Sequence, residues 1–181
     1  ALRGIPAPRI AVIYNGVAAD PPQLPRGWLR RALQVGPDTL LLTSVGSLIP
    51  RKRLGFLIQA LADSRGQGAE AHLVLVGSGP EEQALRKLAD SLHLRARVHL
   101  LGFRQDVGEI LAESDIYLHS ALAETCTSTI LESMATGIPA LVTEAGAARE
   151  QIEDGRTGFV VGRDNRAGFV DRLDELMGSP E

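Results

Sequence analysis

Short runs of aliphatic residues alternate along the chain with segments in which apolar residues recur every three or four positions. A run of consecutive apolar residues predicts a strand buried on both faces, and the wider spacing predicts an amphipathic helix. The predicted strands cover 39–46, 71–77, 96–102, 115–120, 138–143 and 158–161. The predicted helices cover 54–61, 85–92, 107–112, 128–136, 149–153 and 167–177. This alternation predicts an α/β fold with a doubly wound parallel sheet.

Sheets of this kind bind ligands outside the carboxyl ends of their strands. The functional site is therefore expected in the loops that follow the strands, and these loops cover 46–53, 77–80, 102–106 and 119–128. An opening piece at 9–14 and a proline-rich connector at 20–25 come before the first long strand.

The loop Gly-Ser-Gly-Pro-Glu-Glu at 77–82 stands where the fingerprint of a dinucleotide-binding fold would stand. It lacks the third glycine of that fingerprint, because position 82 is Glu, and Pro80 occupies the turn. This departure disfavours a nicotinamide-dependent enzyme. From this segment alone, an ordinary strand-to-helix turn with Pro near the helix start is the favoured interpretation.

The loop after the first long strand places three cations in succession, Arg51, Lys52 and Arg53, at a predicted helix start. A helix N-terminus favours anions, so a lysine there opposes the helix unless an anion lies between them. A solvated basic turn is the alternative. The position at the carboxyl end of a buried strand favours a phosphate site.

The loop after the fourth predicted strand has five small residues in succession, Thr125 to Thr129, before a helix. Thr127 or Ser128 is predicted as the N-cap, and the backbone N–H groups of such a turn can hold a diphosphate. Glu124 precedes the turn and Glu132 lies eight residues later. Ionised carboxylates accept hydrogen bonds from hydroxyls, so the pair favours a sugar or a ribose beside the phosphates. For a single Glu, a solvated helix face is the alternative.

Composition narrows the possible functions. A chain of 181 residues is expected to form one domain with a full core. Its 19 basic and 22 acidic residues give a net charge of −3, so nucleic-acid binding through net charge is not expected. No apolar run reaches the length of a membrane span and no leader is recognised, so a cytoplasmic chain is expected.

The residue types that usually carry metal or covalent chemistry show no convincing pattern. Cys126 is the single cysteine and the four histidines lack metal-ligand spacing, so no metal and no cofactor are expected. His72 and His99 fall inside predicted strands and are interpreted as structural, whereas His119 ends a strand and can face the site. Cys126 is interpreted as a small filler, and neither a serine-hydrolase elbow nor a P-loop occurs.

Several blocks, taken in order, resemble one known family. They are VGSLIPRKR at 45–53, LVLVGSGPEE at 73–82, VHLLGFRQD at 98–106, and the pair Glu124/Glu132 followed by SMATGIPALVTEAGAAREQIEDGRTGFVV. From 15 to 159 the chain resembles the retaining glycosyltransferases of family 4, or glycosyl transferases group 1, and specifically their carboxyl-terminal, nucleotide-sugar-binding domain. The resemblance implies a Rossmann-like domain that forms one half of a GT-B enzyme.

The resemblance also implies a role for each matched residue. Glu124 would lie beside the transferred sugar as the catalytic or orienting carboxylate. Lys52 and the backbone at 127–129 would hold the diphosphate, Glu132 the ribose hydroxyls, and the turn at 102–104 the base. The donor-binding positions implied are Ser47, Arg51, Lys52, Gly77, Gly79, Phe103, Arg104, Thr127, Ser128, Thr129 and Glu132. The implied reaction transfers a sugar, of the hexosyl type, to an acceptor hydroxyl with retained configuration, and the leaving-group charge is stabilised without a metal.

This sequence departs from the family at three places. Ser47 stands where the family usually has Arg, Arg53 where it has Gly, and Thr125-Cys126-Thr127 where it has Gly-Phe-Gly. Arg51 or Arg53 is a candidate to replace the missing cation. The lost glycines leave the identity of the donor sugar open.

The family's amino-terminal, acceptor-binding domain has no counterpart in the chain. Residues 1–181 are therefore interpreted as a donor-binding domain that is inactive alone, with the missing domain and a nucleotide sugar as partners. The acceptor would be a lipid or a glycan, and some acceptors of this kind are membrane-associated. The full-length protein would then act in the cytoplasm or at the inner face of a membrane. Two alternatives stay open: a non-catalytic nucleotide-sugar-binding or regulatory module, and a domain of a nucleotide-sugar epimerase.

Overall fold

The computed structural model describes residues 9, 11, 13–18, 22–65 and 70–178. Its strands are β1 (Leu40–Val45), β2 (Ala71–Val76), β3 (Val98–Gly102), β4 (Ile116–His119), β5 (Ala140–Thr143) and β6 (Gly158–Val161). They form one sheet in the order β3-β2-β1-β4-β5-β6, and every neighbouring pair is parallel. All six predicted long strands are confirmed, with ends that differ by up to two residues.

The helices are α1 (Trp28–Leu33), α2 (Leu54–Asp63), α3 (Glu82–Ser91), α4 (Val107–Ala112), α5 (Ser128–Ala135), α6 (Ala148–Gln151) and α7 (Arg166–Gly178), with a 3-10 turn at Pro50–Lys52. Of the seven helices in the described residues, six were predicted and are confirmed, although α3 begins three residues before its predicted start. In the predicted opening piece and connector, residues 10, 12, 20 and 21 lie outside the described residues, and the described ones form no strand.

Helix α1 is absent from the predictions because it is short and presents one fully buried side chain, Leu29, to the core. Tertiary contacts hold it in place. Arg30 forms a 2.6 Å ion pair with Asp115, and the backbone N–H of Gly27 donates to Glu113 at 2.8 Å. Six residues are too few to form a stable helix in isolation, so this helix depends on those contacts.

The core lies in two layers, one on each face of the sheet. Helices α2, α3 and α7 cover one face, where Leu42, Leu57 and Phe169 belong to one buried cluster. Helices α1, α4 and α5 cover the other face with Leu41 and Tyr117 among the buried residues there. Strands β2, β4 and β5 are buried along their whole length, which explains their consecutive apolar residues.

The connections reverse direction between β1 and β4, which are neighbours in the sheet. The chain leaves β1 toward α2 on one face and leaves β4 toward α5 on the other. A crevice therefore opens between the loops that follow β1 and β4, which is where doubly wound sheets bind their ligands. Within the part of the chain that the structure describes, no helix is long and apolar enough to cross a membrane.

Candidate functional site

Hydrogen bonds tie together the loops that follow β1 and β4. The backbone N–H of Leu122 donates to the carbonyl of Arg51 at 2.8 Å, and the Ser120 hydroxyl donates to the carbonyl of Lys52 at 2.9 Å. The Arg51 guanidinium returns a 2.9 Å bond to the carbonyl of Ala123. Because these bonds fix both loops, the side chains that they carry are held at the crevice.

An ion pair between Lys52 and Glu124 occupies the centre of this arrangement. Lys52 Nζ lies 2.6 Å from Glu124 Oε1, and Arg51 Nη1 lies 3.5 Å from Oε2 of the same carboxylate. The Lys52 and Glu124 side chains are 15% and 11% exposed, so the pair is largely shielded from water but reachable. The Lys52 stem folds back over Gly46, where an added Cβ would lie 3.3 Å from Cε. Two residues predicted from separate loops are thus brought into contact.

Arg53 points away from this pair. Its backbone has φ +52°, and its guanidinium donates to the carbonyl of Arg163 at 3.0 Å and lies 3.3 Å from Asp164. It also lies over the ring of Phe56, 4.8 Å from the centroid. Of the two candidate replacements for the missing cation, Arg51 is therefore the one beside Glu124. Ser47 lies exposed in the same loop.

The amino-terminal end of α5 follows the β4 loop, at the same edge of the sheet as the crevice. Thr127 is the N-cap, as predicted, but its side chain makes no capping hydrogen bond. The Thr129 hydroxyl is 2.6 Å from the buried Tyr117 hydroxyl, so this side chain is directed toward the core. Ser128 is exposed, and Glu132, four residues later, lies on the same face of the helix. The helix start therefore keeps backbone N–H groups uncapped by the Thr127 side chain, with one carboxylate a turn below.

Gly77 and Gly79 make room for the backbone of the neighbouring loop. A Cβ on Gly77, which has φ +137°, would lie 1.9 Å from the carbonyl oxygen of Gly46, and one on Gly79 would lie 2.4 Å from that of Leu48. The backbone N–H of Leu48 donates to Ser78 at 2.9 Å. The loops after β1 and β2 are therefore packed backbone to backbone at these two glycines.

The turn that follows β3 exposes one aromatic ring beside a fixed cation. Phe103 is 73% exposed, and Arg104 donates to both carboxylate oxygens of Asp106, at 2.8 and 2.6 Å. Hydrogen bonding from Arg104 holds the pKa of Asp106 below its usual range. The ring is free for stacking, whereas the guanidinium is already engaged.

The family model for glycosyl transferases group 1 matches residues 28–181. The chain belongs to this family. It is 31% identical over 153 residues to the N-acetyl-alpha-D-glucosaminyl L-malate synthase of Bacillus anthracis, which covers 84% of the chain and 40% of that protein.

Two solved structures resemble this group 1 family member. The apo form of the lipopolysaccharide outer core galactosyltransferase WaaB has a TM-score of 0.80 and 23% identity, covering 97% of the chain and 48% of WaaB. HepE from Anabaena, in complex with UDP and glucose, has a TM-score of 0.72 and 29% identity, covering 83% of the chain and 40% of HepE. The predicted Rossmann-like fold, one half of the GT-B architecture, is confirmed. The chain spans less than half the length of each of these proteins.

Gly146 is a residue of the site that the sequence reasoning missed. It has φ +53°, and an added Cβ would lie 2.2 Å from the carbonyl oxygen of Glu124. The next residue, Ala147, donates its N–H to the carbonyl of Thr125 at 3.1 Å. In this group 1 chain, the loop after β5 therefore supports the backbone of the Glu124 loop. In the sequence, Gly146 stands between a predicted strand and a predicted helix, and this position was the signal that could have identified it.

His119 lies next to the ion pair. It is 3% exposed, its ring stacks on Tyr117, and its Nε2 atom lies 4.0 Å from Glu124 Oε1. Burial, reinforced by the positive charge of Lys52 and opposed by Glu124, lowers the pKa of His119 to about 4. The imidazole is therefore neutral at pH 7. His119 was predicted as a residue that can face the site; the structure places it next to Glu124 with its ring buried.

The other chemistry-bearing side chains have structural contacts. His72 and His99 share a 2.9 Å hydrogen bond between β2 and β3, and burial lowers the pKa of His99. Gln151 donates to the Sγ atom of Cys126 at 3.5 Å. Among the described residues, no group of three or more His, Cys, Asp or Glu side chains is arranged to hold a metal ion.

Proposed function

We propose that the chain is the carboxyl-terminal, nucleotide-sugar-binding domain of a retaining glycosyltransferase. The observation that carries the proposal is the Lys52–Glu124 ion pair at the crevice between β1 and β4, 2.6 Å long and next to the start of α5. A cation and an uncapped helix start favour a phosphate group, and a carboxylate beside them favours a hydroxyl-rich neighbour. A sugar joined to a diphosphate has both groups.

In this proposal the diphosphate lies between the cations and α5. Lys52 is shielded enough to make a strong charge-assisted contact, and Arg51 approaches from the exposed side of Glu124. The backbone N–H groups of Thr127, Ser128 and Thr129 supply the second side of the site. The dipole of α5 adds to the attraction for the anion.

The two carboxylates have separate roles. Glu124 lies beside the transferred sugar, and Glu132, one turn into α5, accepts from the ribose hydroxyls. The base lies against Phe103 and Arg104, because an exposed ring offers a stacking surface at the end of β3. The neighbouring backbone at Ser47, Gly77 and Gly79 forms one side of the crevice.

The proposed reaction transfers a hexosyl group to an acceptor hydroxyl with retention of the anomeric configuration. The bond from the anomeric carbon to the diphosphate oxygen breaks, a bond from that carbon to the acceptor oxygen forms, and the departing diphosphate takes up the proton of the acceptor hydroxyl. The negative charge that develops on the diphosphate is stabilised by Lys52, Arg51 and the helix dipole of α5. No metal and no cofactor are required in this scheme. The acceptor domain is supplied by a further part of the same protein, and residues 1–181 bind the donor without transferring it.

The relatives support a role in the synthesis of a glycolipid or glycan. WaaB is named for the lipopolysaccharide outer core, and HepE was solved with UDP and glucose. We therefore propose a nucleotide sugar as the donor and a lipid or a glycan as the acceptor. Some acceptors of this kind are membrane-associated. The full-length protein would act in the cytoplasm or at the inner face of a membrane.

Calorimetric titration of the 181-residue chain with UDP, GDP and ADP tests the proposal. We expect one of the three to bind, and Lys52→Met to weaken that nucleotide about ten- to a hundredfold, because a charge-assisted contact contributes about 1.5–3 kcal/mol. Lys87→Met is the matched control: Lys87 is exposed on α3, and its replacement should leave the affinity unchanged.

Binding of none of the three nucleotides at millimolar concentration would contradict the proposal, and so would equal affinities for Lys52→Met and wild type. If binding is normal but the full-length protein transfers no sugar, the non-catalytic module is supported instead. Interconversion of free UDP-sugars by the full-length protein would favour the epimerase.

A further inference from the structure

Two buried polar atoms lie near each other at the ion pair, one on His119 and one on Glu124, and neither has an aligned hydrogen bond. His119 Nε2 is fully buried and has no hydrogen-bond partner among the described residues. Glu124 Oε1 is also buried, and although Lys52 Nζ lies 2.6 Å away, that contact lacks the direction of a hydrogen bond. Buried polar groups in native proteins are nearly always hydrogen-bonded, so such a pair calls for an explanation.

The distance between these atoms explains why they do not bond now. His119 Nε2 and Glu124 Oε1 are 4.0 Å apart, about 1 Å more than a hydrogen bond allows. Lys52 Nζ is 2.6 Å from this oxygen, and its charge attracts the carboxylate. A small rotation of the Glu124 side chain toward the imidazole would close the gap, and a neutral imidazole with its proton on Nε2 is a suitable donor.

We propose that His119 is a positioning residue for Glu124: when a diphosphate draws Lys52 away, the His119 Nε2–H donates to Oε1 and holds the carboxylate in place. This inference rests on the proposed function, because the diphosphate is the anion that competes for Lys52. His119 itself does not touch the ligand, since its Nε2 atom is inaccessible from the crevice.

The contact matters because Glu124 is otherwise left without a partner at Oε1. Its side chain is 11% exposed, so an uncompensated charge there would be costly. Arg51 approaches the other oxygen, Oε2, at 3.5 Å, and its own side chain is half exposed. With Oε1 held by His119, the carboxylate keeps one orientation and Oε2 stays available to a sugar hydroxyl.

The charged and titratable groups around His119 determine how its pKa should change. Lys52 and Glu124 act on it from the loops after β1 and β4, and the Tyr117 ring stacks on it from within β4. Removing the lysine charge and closing the bond to Glu124 both favour the protonated imidazole. The ring nitrogens of His119 can be followed by ¹⁵N NMR, which reports the tautomer, the hydrogen bond and the pKa.

The first experiment needs no ligand. Lys52→Met keeps the side-chain stem over Gly46 and removes the charge, so it imitates withdrawal of the lysine. We expect the Nε2–H tautomer with a hydrogen-bonded shift and a rise in the pKa of His119 by about one to two pH units. In the double variant Lys52→Met/Glu124→Gln the rise should fall by at least about half, because a neutral amide attracts the imidazolium far less. Lys87→Met should match wild type.

The second experiment adds inorganic pyrophosphate to the wild-type chain. We expect the His119 nitrogens to move in the same direction as in Lys52→Met. Identical pKa values and tautomers in the single and double variants would overturn the role of His119. If the variants behave as expected but pyrophosphate leaves the His119 nitrogens unchanged, a diphosphate does not compete for Lys52. That result would contradict the proposed phosphate site. A Lys52→Met protein that is unfolded by circular dichroism would be replaced by Lys52→Gln.

Discussion

Gly146→Ala is expected to destabilise the protein by about 2–4 kcal/mol and to weaken nucleotide binding. The backbone at this position has φ +53°, which costs a residue with a Cβ about 1 kcal/mol or more. The new Cβ would also lie 2.2 Å from the carbonyl oxygen of Glu124, so the Glu124 loop must shift. Such overpacking typically costs about 1–3 kcal/mol. Urea unfolding measures the stability, and calorimetry with the bound nucleotide measures the effect on the site.

Gly108→Ala is the matched control. Gly108 lies in helix α4, exposed, with no atom within 4 Å of an added Cβ. Alanine there should leave binding unchanged and stabilise the protein by up to about 1 kcal/mol, since it favours helix. Equal stabilities for the two variants would show that the Gly146 backbone does not support the Glu124 loop.

Acidification from pH 7.5 to pH 5 is expected to lower the free energy of unfolding by about 2 kcal/mol through His119. The folded state lowers the pKa of this imidazole from 6.5 to about 4. A proton therefore binds the unfolded chain more readily, so the stability contributed by neutral His119 is complete above about pH 6.5 and is lost as the pH falls toward 4. Each pH unit in that window corresponds to about 1.4 kcal/mol. Burial lowers the pKa of His99 too, which adds a loss of the same sign.

Urea unfolding at several pH values separates these contributions. His119→Asn removes the titrating group, so its stability should fall less between pH 7.5 and 5 than that of wild type. His93→Asn is the control, because His93 is exposed and has φ +58°, a conformation that Asn tolerates. It should keep the full wild-type pH dependence. A His119→Asn protein with the same pH dependence as wild type would place the acid sensitivity elsewhere.

The strands were predictable because burial on both faces leaves runs such as Leu73 to Val76 entirely apolar. Helix α1 was not, because its stability comes from contacts with Glu113 and Asp115, more than 80 positions away in sequence. Local patterning carries no information about such distant partners. The same limit explains why Gly146 was overlooked, since the atom that excludes its side chain belongs to Glu124.

The meeting of Lys52 and Glu124 was predictable in outline, because the carboxyl ends of parallel strands share one edge of the sheet. The direction of single side chains was not. Arg53 follows Lys52 directly, yet its left-handed backbone sends the guanidinium toward Asp164. The depth of His119 likewise depends on how the two loops close over β4, which its sequence neighbours do not reveal.

The backbone contacts between the loops after β1, β2 and β3 have a consequence for how ligand preference can change. Gly46 donates to Val76, Gly77 donates to Gly102, and a Cβ at Gly77 has no space. A side chain at Gly77 or Gly79 would displace the backbone of the loop after β1, so these two positions on this side of the crevice do not tolerate substitution. The opposite side at Thr125 and Cys126 is partly open to solvent. New specificities are therefore expected to evolve, or to be engineered, on the β4 side, while Gly77 and Gly79 stay unchanged.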